Sequence, residues 1–363
     1  MNAEPATSAM SREMFHSDGN NGGSQPCLSN LVIYTEEAAD EQLIRDTITQ
    51  YILKHPCRVI VIFSLPRSAI SRLDGSFSAH TFNDSTGKSV ACDQFTLHVS
   101  GSAVKELASA IQPLLVADLP INVWWRGNFL SQRIIVEQML AFADRFIYDG
   151  VNWTNLHFTV MQVDDFFTRH EEKVAFTNFN WARLRPWREC AADFFDAGMF
   201  ENEIWELNTV RIEYMSMPGM EEGYQFRALL LLSWLAVQLE WVPETGTPGM
   251  DDVRLEFKDK RGENVNAELV MLPQSTPTSQ GLQRVVMSIH TADRFHAFIV
   301  ERDHHDRLMI LRHDDTHTQR VLRTFPHADS KPSDLLLREL GRRQRSRVFE
   351  KSFKLASNLL QMI

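Results

Sequence analysis

The chain has 363 residues, with 37 Lys and Arg against 47 Asp and Glu, and a formal charge of −10. At about 150 residues per domain this length predicts two domains, and 44% hydrophobic with 10% aromatic residues excludes wholesale disorder. With only 16 Gly and 4 Cys, a collagenous or disulfide-stapled fold is excluded, and the acidic balance argues against a nucleic-acid binder.

Residues 1–29 are rich in Ser, Asn and Gly and are expected to form a disordered tail. No basic segment followed by an apolar run stands there, so no signal peptide is expected. From residue 30 the pattern alternates. Strands are predicted over 31–35, 58–64, 95–99, 121–125 and 145–148, with helices over 36–54, 102–115 and 130–143. The run RVIVIFS at 58–64 is continuously apolar, as in a sheet covered on both faces. The polar stretch 65–93 reads as an interruption. Strands alternating with helices predict a doubly wound, mostly parallel α/β domain over residues 30–176.

Residues 177–363 change character. An aromatic and Arg-rich segment, 180–196, opens them. Asn180 is a plausible N-cap, a short turn should end near Arg185, and Pro186 should start a second helix. Trp187, Ala191, Phe194 and Phe195 would then face the core. A strand follows at 210–214, then an apolar helix over 221–241. Its stretch 228–239 is too short to span a bilayer, which needs about 20 apolar residues. Six period-2 runs, starting at 253, 266, 284, 295, 307 and 319, predict an antiparallel meander. A long C-terminal helix is predicted from Pro332, with Phe349, Phe353, Ala356, Leu360 and Ile363 on one stripe. Its other face carries Arg338, Arg342, Arg343, Arg345, Arg347, Lys351 and Lys354, a basic amphipathic surface best explained by acidic neighbours within the chain. The second domain is therefore α+β.

Several segments look like chemical motifs and fail on spacing. Residues 85–89 (STGKS) resemble the end of a phosphate loop, but Phe82 stands where a Gly is required. His170 and Glu171 resemble a zinc-protease helix, but Val174 replaces the second His. Asp303, His304, His305 and Asp306, with His313, His317 and His327 downstream, sit at a predicted hairpin tip and read as a polar turn. No metal site, cofactor or catalytic constellation is expected. The four cysteines, Cys27, Cys57, Cys92 and Cys190, read as free thiols of a reducing cytoplasm. Cys57 and Cys190 read as buried fillers, Cys27 and Cys92 as the reactive candidates.

Three segments carry a family resemblance: HPCRVIVIF at 55–63, PLLVADLPINVWWRG at 113–127 with ADRFIYDG at 143–150, and NFNWARLRPWRECAADFFD at 178–196. Together they resemble the glucose-6-phosphate dehydrogenase assembly protein family, the OpcA family. The resemblance runs from about residue 30 to 200, and the meander fits the family's second domain in layout. It implies a non-catalytic cytoplasmic effector whose partner is glucose-6-phosphate dehydrogenase, with no nucleic-acid or membrane partner. Such an effector feeds the oxidative pentose phosphate pathway by promoting the active oligomer. It needs an aromatic and Arg-rich surface rather than a pocket of tuned acids. Trp124, Trp125 and Arg126, and Trp181, Arg183, Arg185 and Arg188, are the candidates. The competing reading of those residues is structural, pinning elements together by ion pairs and stacking. The rival function is an enzyme acting on a sugar phosphate at the carboxyl ends of the strands, near Ser64, residues 100–102 and 125–128.

Overall fold

The computed structural model describes residues 27–83, 89–170, 172–196, 203–273, 280–313, 319–326, 331–341 and 345–363. These form two compact units. One takes the chain up to Tyr148, His170–Thr177 and the segment from Lys331. The other takes Asp149–Arg169, the chain from Asn178 and the C-terminal segment ending at Ile363.

The first unit is a layered α/β fold. Its elements are β1 (Ser29–Thr35), α1 (Glu41–Ile52), β2 (Cys57–Leu65), β3 (Arg72–Asn83), β4 (Ser89–Ser100), α2 (Leu107–Ile111), β5 (Ile121–Trp125), α3 (Arg133–Leu140), β6 (Arg145–Tyr148) and β7 (Ala175–Asn178). The sheet order is β3-β4-β2-β1-β5-β6-β7. The pairs β1–β2, β1–β5, β2–β4 and β5–β6 are parallel, while β3 is antiparallel to β4. Every residue of β1 is buried, which explains its unbroken apolar run: both faces are covered. The expected doubly wound, mostly parallel sheet is therefore present. The sequence reading overlooked β3, which falls in the polar stretch 65–93. An outermost strand needs no apolar face, so RLDGSFSAHTFN carries no burial signal.

The second unit holds α4 (Leu156–His170), α5 (Phe179–Arg183), α6 (Arg185–Asp196), β8 (Thr209–Met215), α7 (Glu221–Gln238), β9 (Val242–Pro248), β10 (Asp252–Lys258), β11 (Asn264–Met271), β12 (Gly281–His290), β13 (Phe295–Arg302), β14 (Arg307–His313) and β15 (Gln319–Pro326). The order is β15-β14-β13-β12-β8-β11-β10-β9, and β8 with β11 is a parallel pair in an otherwise antiparallel sheet. All six period-2 runs of the meander are strands. The sequence reading missed β9, whose residues VPETGTP are exposed and lack alternation. Helix α7 packs on β8, β11 and β12. Among the described residues no helix is long and apolar enough to cross a membrane.

The stretch from Pro332 divides. Helix α8 (Pro332–Leu340) ends at Gly341 and packs on α1 of the first unit, and α9 (Arg347–Leu360) packs on α7 of the second. The C-terminal helix thus starts at Arg347, not at Pro332. Its apolar stripe is as expected: Phe353 lies 5.0 Å from Phe167 and 5.6 Å from Phe226, ring to ring. Part of its basic face is internally paired, Lys354 with Asp164 of α4 and Arg345 with Glu350. Arg342 and Arg343 lie outside the described residues, as does the tail up to residue 26.

The cysteine expectations need one correction. Cys57 and Cys190 are buried as expected, but so is Cys92, which lies within β4 rather than near a loop end. Its Sγ donates to the Cys57 carbonyl oxygen at 3.1 Å. Burial pushes the Cys92 and Cys190 thiols up to about 12 and raises Cys57 well above the usual thiol range. Cys27 is half-buried.

Two outcomes follow. Phe353→Ala removes a ring from the contact of α9 with α7 and α4 and should cost about 3–5 kcal/mol, read as a lower urea midpoint with unchanged slope. An aromatic disulfide reagent at pH 8 should modify Cys27 rapidly and leave the other three thiols unreacted until denaturant is added.

Candidate functional site

The parallel strands change winding direction between β1 and β5, and in such sheets ligands sit at the carboxyl ends flanking that point. A dinucleotide site needs a glycine turn there and free amides at the following helix N-terminus. Here the loop is Glu36-Glu37-Ala38-Ala39-Asp40, without glycine, and the N-cap of α1 is Asp40.

Arg126, one residue past β5, clamps the Asp40 carboxylate with both Nε (2.6 Å to Oδ2) and Nη2. Thr35 Oγ1 donates to the same Oδ2 at 2.7 Å. The Arg126 amide donates to the Tyr34 carbonyl at 2.9 Å. Behind the clamp, Trp125 stacks on Tyr34 with centroids 3.8 Å apart, and the guanidinium lies 5.3 Å from the Trp124 ring. Burial works against the Asp40 charge, but Arg126 and Thr35 outweigh it and hold the carboxyl below its usual range. The charge that a helix N-terminus attracts is thus supplied by the chain itself.

The neighbouring candidate anion site, at Gly101, is also filled. Gly101 has φ +57°, and a Cβ there would meet the Ile70 and Ser68 carbonyl oxygens at 2.8 and 2.9 Å. The glycine serves a close backbone approach. The amide of Ala103 donates to Ser71 Oγ at 2.9 Å.

In the second unit, Asn178 rather than Asn180 caps α5: its Oδ1 accepts from the Asn180 amide at 2.7 Å. Helix α6 starts at Arg185, with Pro186 in its first turn, where a missing N–H costs nothing. Trp187 and Ala191 are buried, while the side chains of Phe194 and Phe195 lie outside the described ones.

Arg183 grips Asp149 with two hydrogen bonds of 2.7 Å. Burial would raise the Asp149 carboxyl, but Arg183 outweighs it and holds the pKa down. Asn180 Oδ1 accepts from Arg227 Nε at 3.2 Å. Arg188 lies 3.4 Å over the Trp181 ring and donates to the Trp181 carbonyl at 3.1 Å. Asp149 and Arg183, far apart in sequence, therefore meet within the second unit.

The seven candidates divide accordingly. Trp124, Trp125 and Trp181 are buried in their units' cores. Arg126 and Arg183 are committed to carboxylates, and Arg188 to Trp181. Arg185 is exposed and pairs only one turn away, with Glu189 at 2.6 Å. Sequence reasoning overlooked Asp40, Asp149, Asn178 and Arg227. Arg227 carried a readable signal: a charge inside an otherwise apolar helix demands a partner.

The failed motifs have structural roles or lie outside the described residues. Asp303 Oδ1 accepts from the amides of His305 and Arg307 at 2.9 Å each. Against a desolvation that would raise it, these bonds and the Arg307 guanidinium hold its carboxyl at about 2, so the turn uses up the carboxylate. His170 pairs with Glu137 at 2.7 Å. Residues 84–88, Glu171, His317 and His327 lie outside the described residues.

Comparisons with known proteins agree with this architecture. Residues 49–164 match the family model described as the glucose-6-phosphate dehydrogenase subunit N-terminal domain, and residues 174–353 match its C-terminal counterpart. The chain is 26% identical over 235 residues to the OxPP cycle protein OpcA of Synechocystis, a match covering 63% of this chain and 47% of that protein. It is 26% identical over 226 residues to the Nostoc punctiforme protein of the same name, covering 61% and 46%. The chain thus spans about half the length of the curated relatives it matches. Among solved structures, an oxidoreductase from Thermotoga maritima aligns with TM-score 0.51 at 10% identity, covering 92% of this chain and 96% of that one. A 3-ketoreductase from Actinomadura kijaniata aligns with TM-score 0.50 at 9% identity, covering 92% and 98%. At such identity the likeness is one of fold alone.

The clamp has a pH signature. Because the Asp40 carboxyl is held low, its contribution to stability is complete above the unfolded value of about 4 and is lost as pH falls through the lower folded value. Asp40→Asn should cost about 2 kcal/mol at pH 7. The gap to the parent protein, measured by urea unfolding, should close as the pH drops below about 4.

Proposed function

The chain belongs to the glucose-6-phosphate dehydrogenase assembly (OpcA) family, and from that premise we propose that it is a cytoplasmic, non-catalytic effector of glucose-6-phosphate dehydrogenase. It binds the dehydrogenase and promotes its active assembly, acting as an allosteric activator in the oxidative pentose phosphate pathway. The observation that carries this reading is the Asp40–Arg126 clamp. The fold is one that elsewhere holds a cofactor at the winding reversal, and in this chain the position is filled by a carboxylate, a guanidinium and a threonine hydroxyl. A bound phosphate there would confront Asp40 with Glu36, Glu37 and Glu41 close by, an arrangement that repels anions.

An effector of this kind shifts an assembly equilibrium by its differential affinity for two states, about tenfold for each 1.4 kcal/mol. The surface we assign to the partner is the exposed side of 179–188. Its buried tryptophan and paired arginines make a rigid support, and Arg185 is the side chain presented outward. Rigid support lowers the ordering cost on binding.

The dehydrogenase from the same organism should show a higher rate, tighter apparent substrate affinity or a larger eluting species when mixed with an excess of this protein. Unchanged kinetics together with unchanged size-exclusion profiles would refute the effector reading. Arg185→Glu should weaken the association by about tenfold or more and leave the melting temperature within about 1 °C, since surface changes rarely cost more than about 0.5 kcal/mol.

A further inference from the structure

Each of the two sheets ends in two outer strands, and a strand at an edge turns the N–H and C=O of every second residue away from the sheet. Three of the four edges among the described strands are blunted. β7 has only four residues. β9 carries Pro243 and Pro248, and its pairing with β10 is interrupted by a register shift. β15 ends in Pro326, and its pairing with β14 is likewise interrupted. The fourth edge, β3, has none of these devices. It runs for twelve residues without proline or lysine and pairs with β4 over its whole length with no shift. We propose that the outer edge of β3 is a docking surface for a second copy of this chain, whose own β3 pairs with it antiparallel and joins the two first-unit sheets into one.

The backbone sets the class of partner. A long, regular edge is a template for another extended strand. None of residues 72–81 is buried on either face of β3. Phe77 is 47% and Leu73 37% exposed. They share one face, on which Phe77 meets Phe95 of β4 with ring centroids 5.1 Å apart. The opposite face carries Asp74, Ser76, Ser78 and His80. The edge therefore has an apolar side and a polar side, both reaching solvent.

The side chains make the edge complementary to itself. Pairing about a two-fold axis at Phe77 sets the two Phe77 rings opposite each other, Gly75 opposite Ala79, Ser76 opposite Ser78 and Asp74 opposite His80. A glycine and alanine pair then stands on each flank of the two rings, which leaves room for both. Each carboxylate meets an imidazole rather than the other carboxylate. The chain carries a formal charge of −10, so two copies repel at long range, yet residues 72–81 hold one Arg and one Asp and meet their copy with no net charge. A single strand pair is a small interface, of the class below about 1,200 Å² that holds transient associations, so the dimer should form in the micromolar range.

The proposal is independent of dehydrogenase binding and is tested on the full chain alone. Sedimentation velocity across micromolar concentrations should show a reversible monomer–dimer equilibrium that tightens as salt screens the charge of −10. Phe77→Lys should weaken it by about tenfold or more, since two lysines then face each other across the axis. Ser76→Lys, which keeps Phe77 on Phe95, should weaken it in the same direction with an unchanged melting temperature. Either lysine lowers the overall repulsion between copies, so weakening by both marks the edge itself. In a Cys27→Ser background, Phe77→Cys should give a disulfide-linked dimer on mild oxidation, because the axis sets the two positions opposite each other, whereas Thr81→Cys should not. A parent chain that stays monomeric throughout this range overturns the proposal. So does a dimer unaffected by both lysine substitutions. Loss of dehydrogenase binding in Phe77→Lys, with the parent chain monomeric when alone, would assign the edge to the dehydrogenase and overturn it as well.

Discussion

The Asp40–Arg126 pair is the constraint around which the first unit is organised. It joins the start of α1 to the end of β5 across β1, between residues 86 apart in the chain. Three consecutive requirements of the fold are met at one point. The helix N-terminus gains a negative charge, β5 is held beside β1, and Thr35 at the end of β1 is fixed by the same carboxylate. Asp149 with Arg183 does the same in the second unit, joining the chain after β6 to α5. Such pairs add little net stability against a well-packed apolar alternative, yet removing one partner leaves a partly desolvated charge at a cost of about 2 kcal/mol. Their contribution is to make one geometry far better than its neighbours.

This constraint also separates fold from chemistry. The sheet order and the crossing between β1 and β5 are those of a cofactor-binding layer. What a fold does is decided by the side chains at its site, and here they are already satisfied by one another. The same holds for the tryptophans. Trp and Arg are enriched both at binding hot spots and in cores, so composition cannot separate the two uses. Burial does: Trp124, Trp125 and Trp181 are each no more than 2% exposed and serve the cores of their units.

Where the physics is local, the sequence was legible. The unbroken apolar runs of β1 and β2 announced a sheet covered on both faces, and the alternating runs from Val253 onward announced strands with one wet face. The short helix, the break near Leu184 and the second helix through Pro186 followed from proline geometry. The outer strands β3 and β9 were illegible because a strand with little to bury carries no periodic signal. Cys92 was misplaced for the same reason, since its position depended on a strand start at Ser89 that polar residues concealed. Arg126 and Arg183 were legible as residues in aromatic and Arg-rich segments, but not that they pair with Asp40 and Asp149.

By itself, then, the sequence determined the fold class, the parallel and antiparallel character of the two sheets and the family, because each rests on periodicity or on contiguous segments. Tertiary structure alone decided that Arg126 finds Asp40 and that Arg183 finds Asp149. It alone assigned Pro332–Leu340 to α1 of one unit and Arg347–Leu360 to α7 of the other, although one amphipathic pattern runs through both. The physical reason is the range of the interactions. Backbone periodicity is set by neighbours within a few residues, whereas a charge or a hydroxyl is satisfied by whatever the folded chain brings within about 3 Å, at any distance along the sequence.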